Sequence, residues 1–126
     1  MNADLGMITY ITLWVFNYDA ALVFYRDQLG LPVEQEDGNF TCFNTERIRL
    51  CMHRTNDSNP LRAHTVEIHF EVTDVDQTYR TLLERGIIFE QEPADMPWGT
   101  RMAALHDPEG YSIEIVGPLK DADPIK

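Results

Sequence analysis

Val33-Glu34-Gln35-Glu36 and Phe89-Glu90-Gln91-Glu92 lie 56 residues apart, and each follows a glycine, Gly30 or Gly86, that closes an apolar stretch with helical spacing. Upstream, Tyr10-Ile11-Thr12-Leu13-Trp14-Val15 and Glu67-Ile68-His69-Phe70-Glu71-Val72 both alternate with period two, at an offset of 57. Such alternation marks a half-buried strand. Between each strand and its glycine stands a short polar residue able to cap a helix, Asn17 or Asp74. The same order of elements at a near-constant offset marks a duplicated unit. The spacing predicts helices over about 18–29 and 75–85. In the second, Val75, Tyr79, Leu82 and Leu83 form the apolar stripe. Strands are predicted near 32–36, 39–44 and 47–53, with Asp37-Gly38 and Asn44-Thr45-Glu46 as turns.

The expected fold is therefore α+β, with two tandem βαβββ modules. The whole chain is read as one domain: module one spans about 7–53, a polar linker 54–63, module two about 64–117 and a fraying tail 118–126. The chain has 126 residues, 44% of them apolar, which suffices for a single core. Ten Lys and Arg oppose 21 Asp and Glu, a net charge of −11. That balance argues against nucleic acid and against anionic membranes, both of which need a basic surface. No apolar run reaches the length of a spanning helix, and Met1 to Gly6 lacks the basic and apolar regions of a signal peptide, so a cytoplasmic location is expected. Cys42 and Cys51 are too few for a disulfide framework and match no zinc spacing; they are expected as reduced, half-buried thiols.

Asn17 with Phe24-Tyr25-Arg26-Asp27-Gln28-Leu29-Gly30-Leu31, then Pro97-Trp98-Gly99-Thr100-Arg101 and Asp107-Pro108-Glu109-Gly110-Tyr111-Ser112-Ile113-Glu114-Ile115-Val116, resemble the vicinal oxygen chelate superfamily. Its members include glyoxalase I, extradiol dioxygenases, fosfomycin-resistance enzymes and bleomycin-resistance proteins. The resemblance, over about residues 7–117, implies sheets that curl into a cup with helices outside, a ligand within, and a homodimer as the usual assembly.

If the aliphatic positions face the helices, the alternate set faces the ligand: Tyr10, Thr12 and Trp14 in the first module, Glu67, His69 and Glu71 in the second, and Glu114 in the last strand. Arg49 falls on the same side in its strand, Trp98 with Gly99 belongs to a rim, and Arg101 is expected with them at the ligand. Family enzymes hold a divalent ion through His and carboxylate groups on the first and last strands of each module. Carried over, these positions fall on Tyr10, near Arg49, on Glu67 and on Glu114. Tyr10 is a poor ligand for hard cations and Arg49 repels them. The favoured reading is thus a small-molecule-binding protein without a complete metal site, whose acidic, aromatic cavity suits a cationic or aromatic ligand.

The alternative is a metal-dependent lyase, isomerase or dioxygenase in which Glu67, His69 and Glu114 hold Ni, Mn, Zn or Fe and Tyr10 is the acid or base. In that case the weak catalytic candidates are Tyr10, Glu67 and Glu114. Two further readings compete. Glu67 and Glu114 could simply pair with Arg49 or Arg101, and Cys51 could be a nucleophile if it faces the cup. Glu67 and His69, about 6.5 to 7 Å apart along one strand, are expected to bring their heads together only with some bending. His53, His64 and His106 are expected as solvated imidazoles at element ends.

Overall fold

A computed structural model describes residues 8, 10–59 and 66–121, so His64 and the tail beyond Asp121 lie outside the described residues. The chain divides into two compact units, 1–58 and 59–126, within the polar stretch read as a linker.

In the first unit, strand β1 (Tyr10–Val15) leads into helix α1 (Tyr18–Leu22), which continues as a π-helical segment over Val23–Gln28. Strands β2 (Val33–Glu36), β3 (Phe40–Phe43) and β4 (Arg49–Arg54) follow, and the sheet order is β1-β4-β3-β2. Asn17 caps the helix by accepting from the Ala20 amide at 3.3 Å, and Gly30 takes φ 75° beyond its end. Strand β1 lies parallel to β4, a pairing that requires the helical crossover between them. Leu13, Val15, Leu50, Met52 and Phe43 are buried with Tyr18, Ala21, Leu22, Phe24 and Tyr25 from the helical segment. Within this core the Tyr18 hydroxyl and Thr41 hydroxyl satisfy each other, and Arg54 lies 4.7 Å over the Tyr18 ring.

The second unit repeats the plan. Strand β5 (Glu67–Glu71), helix α2 (Val75–Glu84), and strands β6 (Phe89–Asp95), β7 (Arg101–His106) and β8 (Ser112–Gly117) form a sheet of order β5-β8-β7-β6. Asp74 caps α2 through the Gln77 amide at 3.1 Å. Val75 and Leu82 are buried as the apolar spacing predicts, and Tyr79 packs on Phe89 at 4.7 Å between ring centres. Leu83, assigned to the same stripe, is instead largely exposed, because the buried face of α2 is narrower than the sequence pattern.

Two contacts fasten α2 to its sheet. Gly117 ends β8 where an added Cβ would stand 2.7 Å from the Val72 carbonyl oxygen and 3.0 Å from Val75 Cγ2. Arg101 bonds Asp76 of α2 at 3.0 Å and Asp95 of β6 at 3.2 Å. The guanidinium holds the Asp76 carboxyl below its ordinary range.

Gly117→Ala should destabilise the protein by about 1–3 kcal/mol, measured by urea unfolding, since backbone must shift to admit the methyl group. Arg101→Met should lower stability at neutral pH. A carboxylate with a depressed folded-state pKa contributes stability above its unfolded value and loses it as pH falls through the folded one. The difference between wild type and Arg101→Met should therefore shrink as pH drops below the ordinary aspartate range; a gap that persists undiminished to low pH would contradict the assignment.

Candidate functional site

Each sheet has one face under its helix and one open face, and the strand register decides which side chains meet on the open one. In the first unit Tyr10 pairs with Arg49, Thr12 with Cys51 and Trp14 with His53. Across the next ladder Cys51 faces Cys42 and His53 faces Phe40. Tyr10 is 63% exposed and Trp14 49%, as the alternation predicts. The Trp14 and His53 rings lie 4.5 Å apart, and Phe40 approaches His53 edge-on at 5.9 Å. His53 is thus no solvated imidazole but part of an aromatic row, with Nδ1 2.9 Å from the Arg54 carbonyl oxygen. A hollow of about 440 Å³ is lined by Tyr10, Glu34, Gln35, Cys42, Arg47 and Arg49.

Cys42 and Cys51 are not separate thiols. Directly opposed on β3 and β4, they are joined as a cross-strand disulfide with Cα atoms 4.1 Å apart. Their spacing in the sequence could not reveal this, because it depends on which residues the β3–β4 turn brings opposite each other.

In the second unit Glu67 pairs with Ser112, His69 with Glu114 and Glu71 with Val116. Glu67, His69 and Glu71 are exposed, whereas the Glu114 side chain retains only 15% exposure. His69 Nε2 stands 3.6 Å from Glu67 Oε1, and Nδ1 stands 2.9 Å from Glu114 Oε2. The heads of Glu67 and His69 do approach each other, since a long strand side chain can lean along its strand. One potential ligand atom from each of Glu67, His69 and Glu114 lies within 4.8 Å of the others. Glu114 Oε2 is buried and lacks an aligned hydrogen-bond donor despite its short distance to the ring. Such an oxygen is suited to a cation. Two carboxylates and an imidazole are a donor set compatible with Zn, Mn, Fe or Ni.

The strand register also corrects the correspondence between modules. Tyr10↔Arg49 and Thr12↔Cys51 match Glu67↔Ser112 and His69↔Glu114, so the counterpart of Glu114 is Cys51 and that of Arg49 is Ser112. Where the second unit offers Glu, His and Glu, the first offers Tyr10, Thr12 and Cys51.

Both arginines are engaged with other acids. Arg49 bonds Glu34 at 2.7 Å and the Glu46 carbonyl oxygen. Arg101 shares the buried side of β7 with Ala103 and Leu105 and is bound to Asp76 and Asp95, so it belongs to the helix face and not to an open rim. Trp98 is 67% exposed in the turn between β6 and β7. A hollow of about 780 Å³ in the second unit lies around Asp74, Asp76, Arg80, Arg101 and Lys120; Glu67, His69 and Glu114 do not line it.

Sequence reasoning overlooked a second echo of the repeat. Glu34 on β2 binds Arg49, and Glu90, its counterpart 56 residues on, lies 3.1 Å from His106 Nδ1 at the end of β7. The matching tetrapeptides carried that signal, but their partners depend on strand pairing. Asp107 organises the entry to β8: its carboxylate accepts from the Glu109 amide at 2.9 Å and the Tyr111 amide at 2.8 Å. Among the described residues, no helix is long and apolar enough to cross a membrane.

Comparison with known proteins agrees with this architecture. The uncharacterized protein YraH of Bacillus subtilis is 30% identical over 119 residues, covering 83% of this chain and 93% of YraH. A glyoxalase/bleomycin resistance protein/dioxygenase from Nocardioides superposes with a TM-score of 0.77 at 23% identity, covering 98% of this chain and 90% of that one. A bleomycin-binding protein complexed with bleomycin superposes with a TM-score of 0.70 at 23% identity, covering 91% of this chain and all of that one. At such identities the two structures speak to the fold alone. The family model described as the Glyoxalase/Bleomycin resistance protein/Dioxygenase superfamily matches residues 7–115. The chain belongs to that superfamily.

Proposed function

We propose that the protein is a small-molecule-binding member of the superfamily that takes a planar, cationic or aromatic ligand at its open sheet faces. The observation that carries this is the row Tyr10, Trp14, His53 and Phe40 on the first unit, which occupies strands where the family's enzymes place metal ligands. Exposed aromatic faces attract planar groups by stacking and cations by their quadrupole. On the second unit Glu67, Glu71 and Glu114 make the open face acidic, and Arg101 of that unit is engaged by Asp76 and Asp95. The bound bleomycin of one structural neighbour illustrates that this fold accommodates a drug-sized ligand. The same proposal has the protein acting as a cytoplasmic homodimer.

A panel of cationic aromatic compounds, bleomycin among them, should contain a ligand whose binding quenches tryptophan fluorescence. Trp14→Ala should weaken that binding about tenfold, the worth of one good cation–π contact. On the second unit's own face, Glu67→Gln should weaken binding of a cationic compound there and spare a neutral one of the same shape. Affinities unchanged in both variants would sink the proposal.

A second reading is favoured by the Glu67, His69 and Glu114 cluster and its orphaned carboxylate oxygen. These three residues would hold a divalent ion, which when bound supplies Lewis-acid polarisation of a substrate oxygen. Glu114, the most buried of the three, would set the ion's position, while Glu67 and His69 hold its solvent side. Metal analysis of the purified protein and melting curves with Ni, Mn, Zn and Fe test this. A stoichiometric ion and a raised melting temperature, both lost in Glu114→Ala, are the expected outcomes. No ion and no shift with any of the four would overturn it.

A further inference from the structure

We infer that Cys42 and Cys51 form a reversible thiol–disulfide couple, and that Cys42 is a site of S-thiolation by low-molecular-weight disulfides of the glutathione type. Three observations converge. The two residues are directly opposed in the antiparallel β3–β4 ladder, with Cα atoms 4.1 Å apart and their sulfurs joined. Directly opposed residues of an antiparallel pair keep this proximity whether or not the sulfurs are bonded, so reduction does not separate them.

The pair also lies in the wrong place for a structural staple. It stands on the open face, in register with Thr12 of β1 and beside Gln35 of β2, and not in the layer between sheet and helix. β3 and β4 are already held by a continuous backbone ladder of four residue pairs, Phe40↔His53 to Phe43↔Leu50. The bond links residues only nine apart along the chain, within a hairpin that closes without it.

The third observation separates the roles of the two sulfurs. Cys42 lines the hollow shared with Arg47 and Arg49, whereas Cys51 is fully buried and absent from its wall. Cations near a thiol favour the thiolate, which is the attacking species. Arg49 is shared with Glu34, and Arg47 on the same wall adds a second positive charge. Both cysteines are buried, Cys42 at 5% and Cys51 at 0% exposure, but Cys42 alone borders the hollow and is thus the attacking sulfur, with Cys51 the resolving one.

The chemistry balances. The Cys42 thiolate attacks one sulfur of the small disulfide, forming a mixed disulfide and expelling one thiolate. The Cys51 thiolate then attacks Cys42 Sγ, forming the cross-strand bond and expelling the second. The two cysteines lose two electrons and two protons in total; the small disulfide gains them and leaves as two thiols. Because Cys42 shares its hollow with Tyr10, the mixed disulfide would also occupy space beside the aromatic row. The couple itself stands independently of any ligand proposed above.

The test is a redox titration of the full-length protein in buffers of varied reduced to oxidised glutathione ratio, quenched by alkylation and read by mass spectrometry. Wild type should pass from two alkylated cysteines to none at an intermediate ratio and return on reversal. Cys51→Ser should accumulate one glutathionyl adduct mapped to Cys42, and Cys42→Ser should accumulate at least tenfold less adduct. A pair that stays oxidised at every ratio is a structural bond and overturns the inference, as does a pair that never oxidises. Equal adduct in both variants overturns the assignment of Cys42. Should either serine variant fail to fold, the wild-type titration still decides reversibility, and brief exposure of the reduced wild type to oxidised glutathione reports which cysteine is modified first.

Discussion

The parallel pairing of first and last strands, β1 with β4 and β5 with β8, is the constraint on which the rest of each unit depends. A parallel neighbour cannot be reached by a tight turn, so the chain must cross over, and the crossover helix covers one face of the sheet. With that face occupied by Leu13, Val15, Leu50 and Met52 in the first unit, and by Ile113, Ile115, Ala103 and Leu105 in the second, period-two geometry sends the alternate residues to the open side. A slip of one residue would bury Tyr10, Thr12 and Trp14 and expose the aliphatic set. The identity of the open face is therefore a consequence of core burial and needs no separate selection of each side chain.

Duplication then lets two chemistries occupy equivalent positions. The same ladder positions carry Tyr10, Thr12 and Cys51 in one unit and Glu67, His69 and Glu114 in the other. The first is aromatic and sulfur-containing, the second acidic with an imidazole at its centre. The acids and bases near both faces are sorted locally. Glu34 engages Arg49, Glu90 engages His106, and Asp76 with Asp95 engage Arg101, which leaves Glu67 and Glu114 with His69 as their close neighbour. Most of the 21 acidic residues lie on turns and exposed surfaces. The carboxylates gathered around an imidazole are few and confined to one ladder.

Much of this was legible in the residues. Asn17 and Asp74 mark helix starts, Gly30 and Gly86 mark stops, and the alternation from Tyr10 to Val15 and from Glu67 to Glu71 separates the two faces. Leu83 and Arg101 were misassigned for a shared reason. A periodic pattern shows which residues share a side but not how wide the covered side is, nor that an arginine on the covered side can be satisfied by Asp76 and Asp95. His53 was misread because a lone imidazole near a strand end acquires its surroundings, Trp14 and Phe40, only from neighbouring strands.

The amino-acid sequence by itself determined the duplicated βαβββ order, the capped helices and the residues presented on each open face, because these follow from local periodicity and from backbone preferences within a few residues. Only the tertiary structure decided which of those residues meet. The disulfide of Cys42 with Cys51, the gathering of Glu67, His69 and Glu114, and the engagement of Arg49 and Arg101 with other acids all depend on how separate elements are set against one another. Register is a collective outcome of core packing and turn geometry, and no short stretch of residues encodes it.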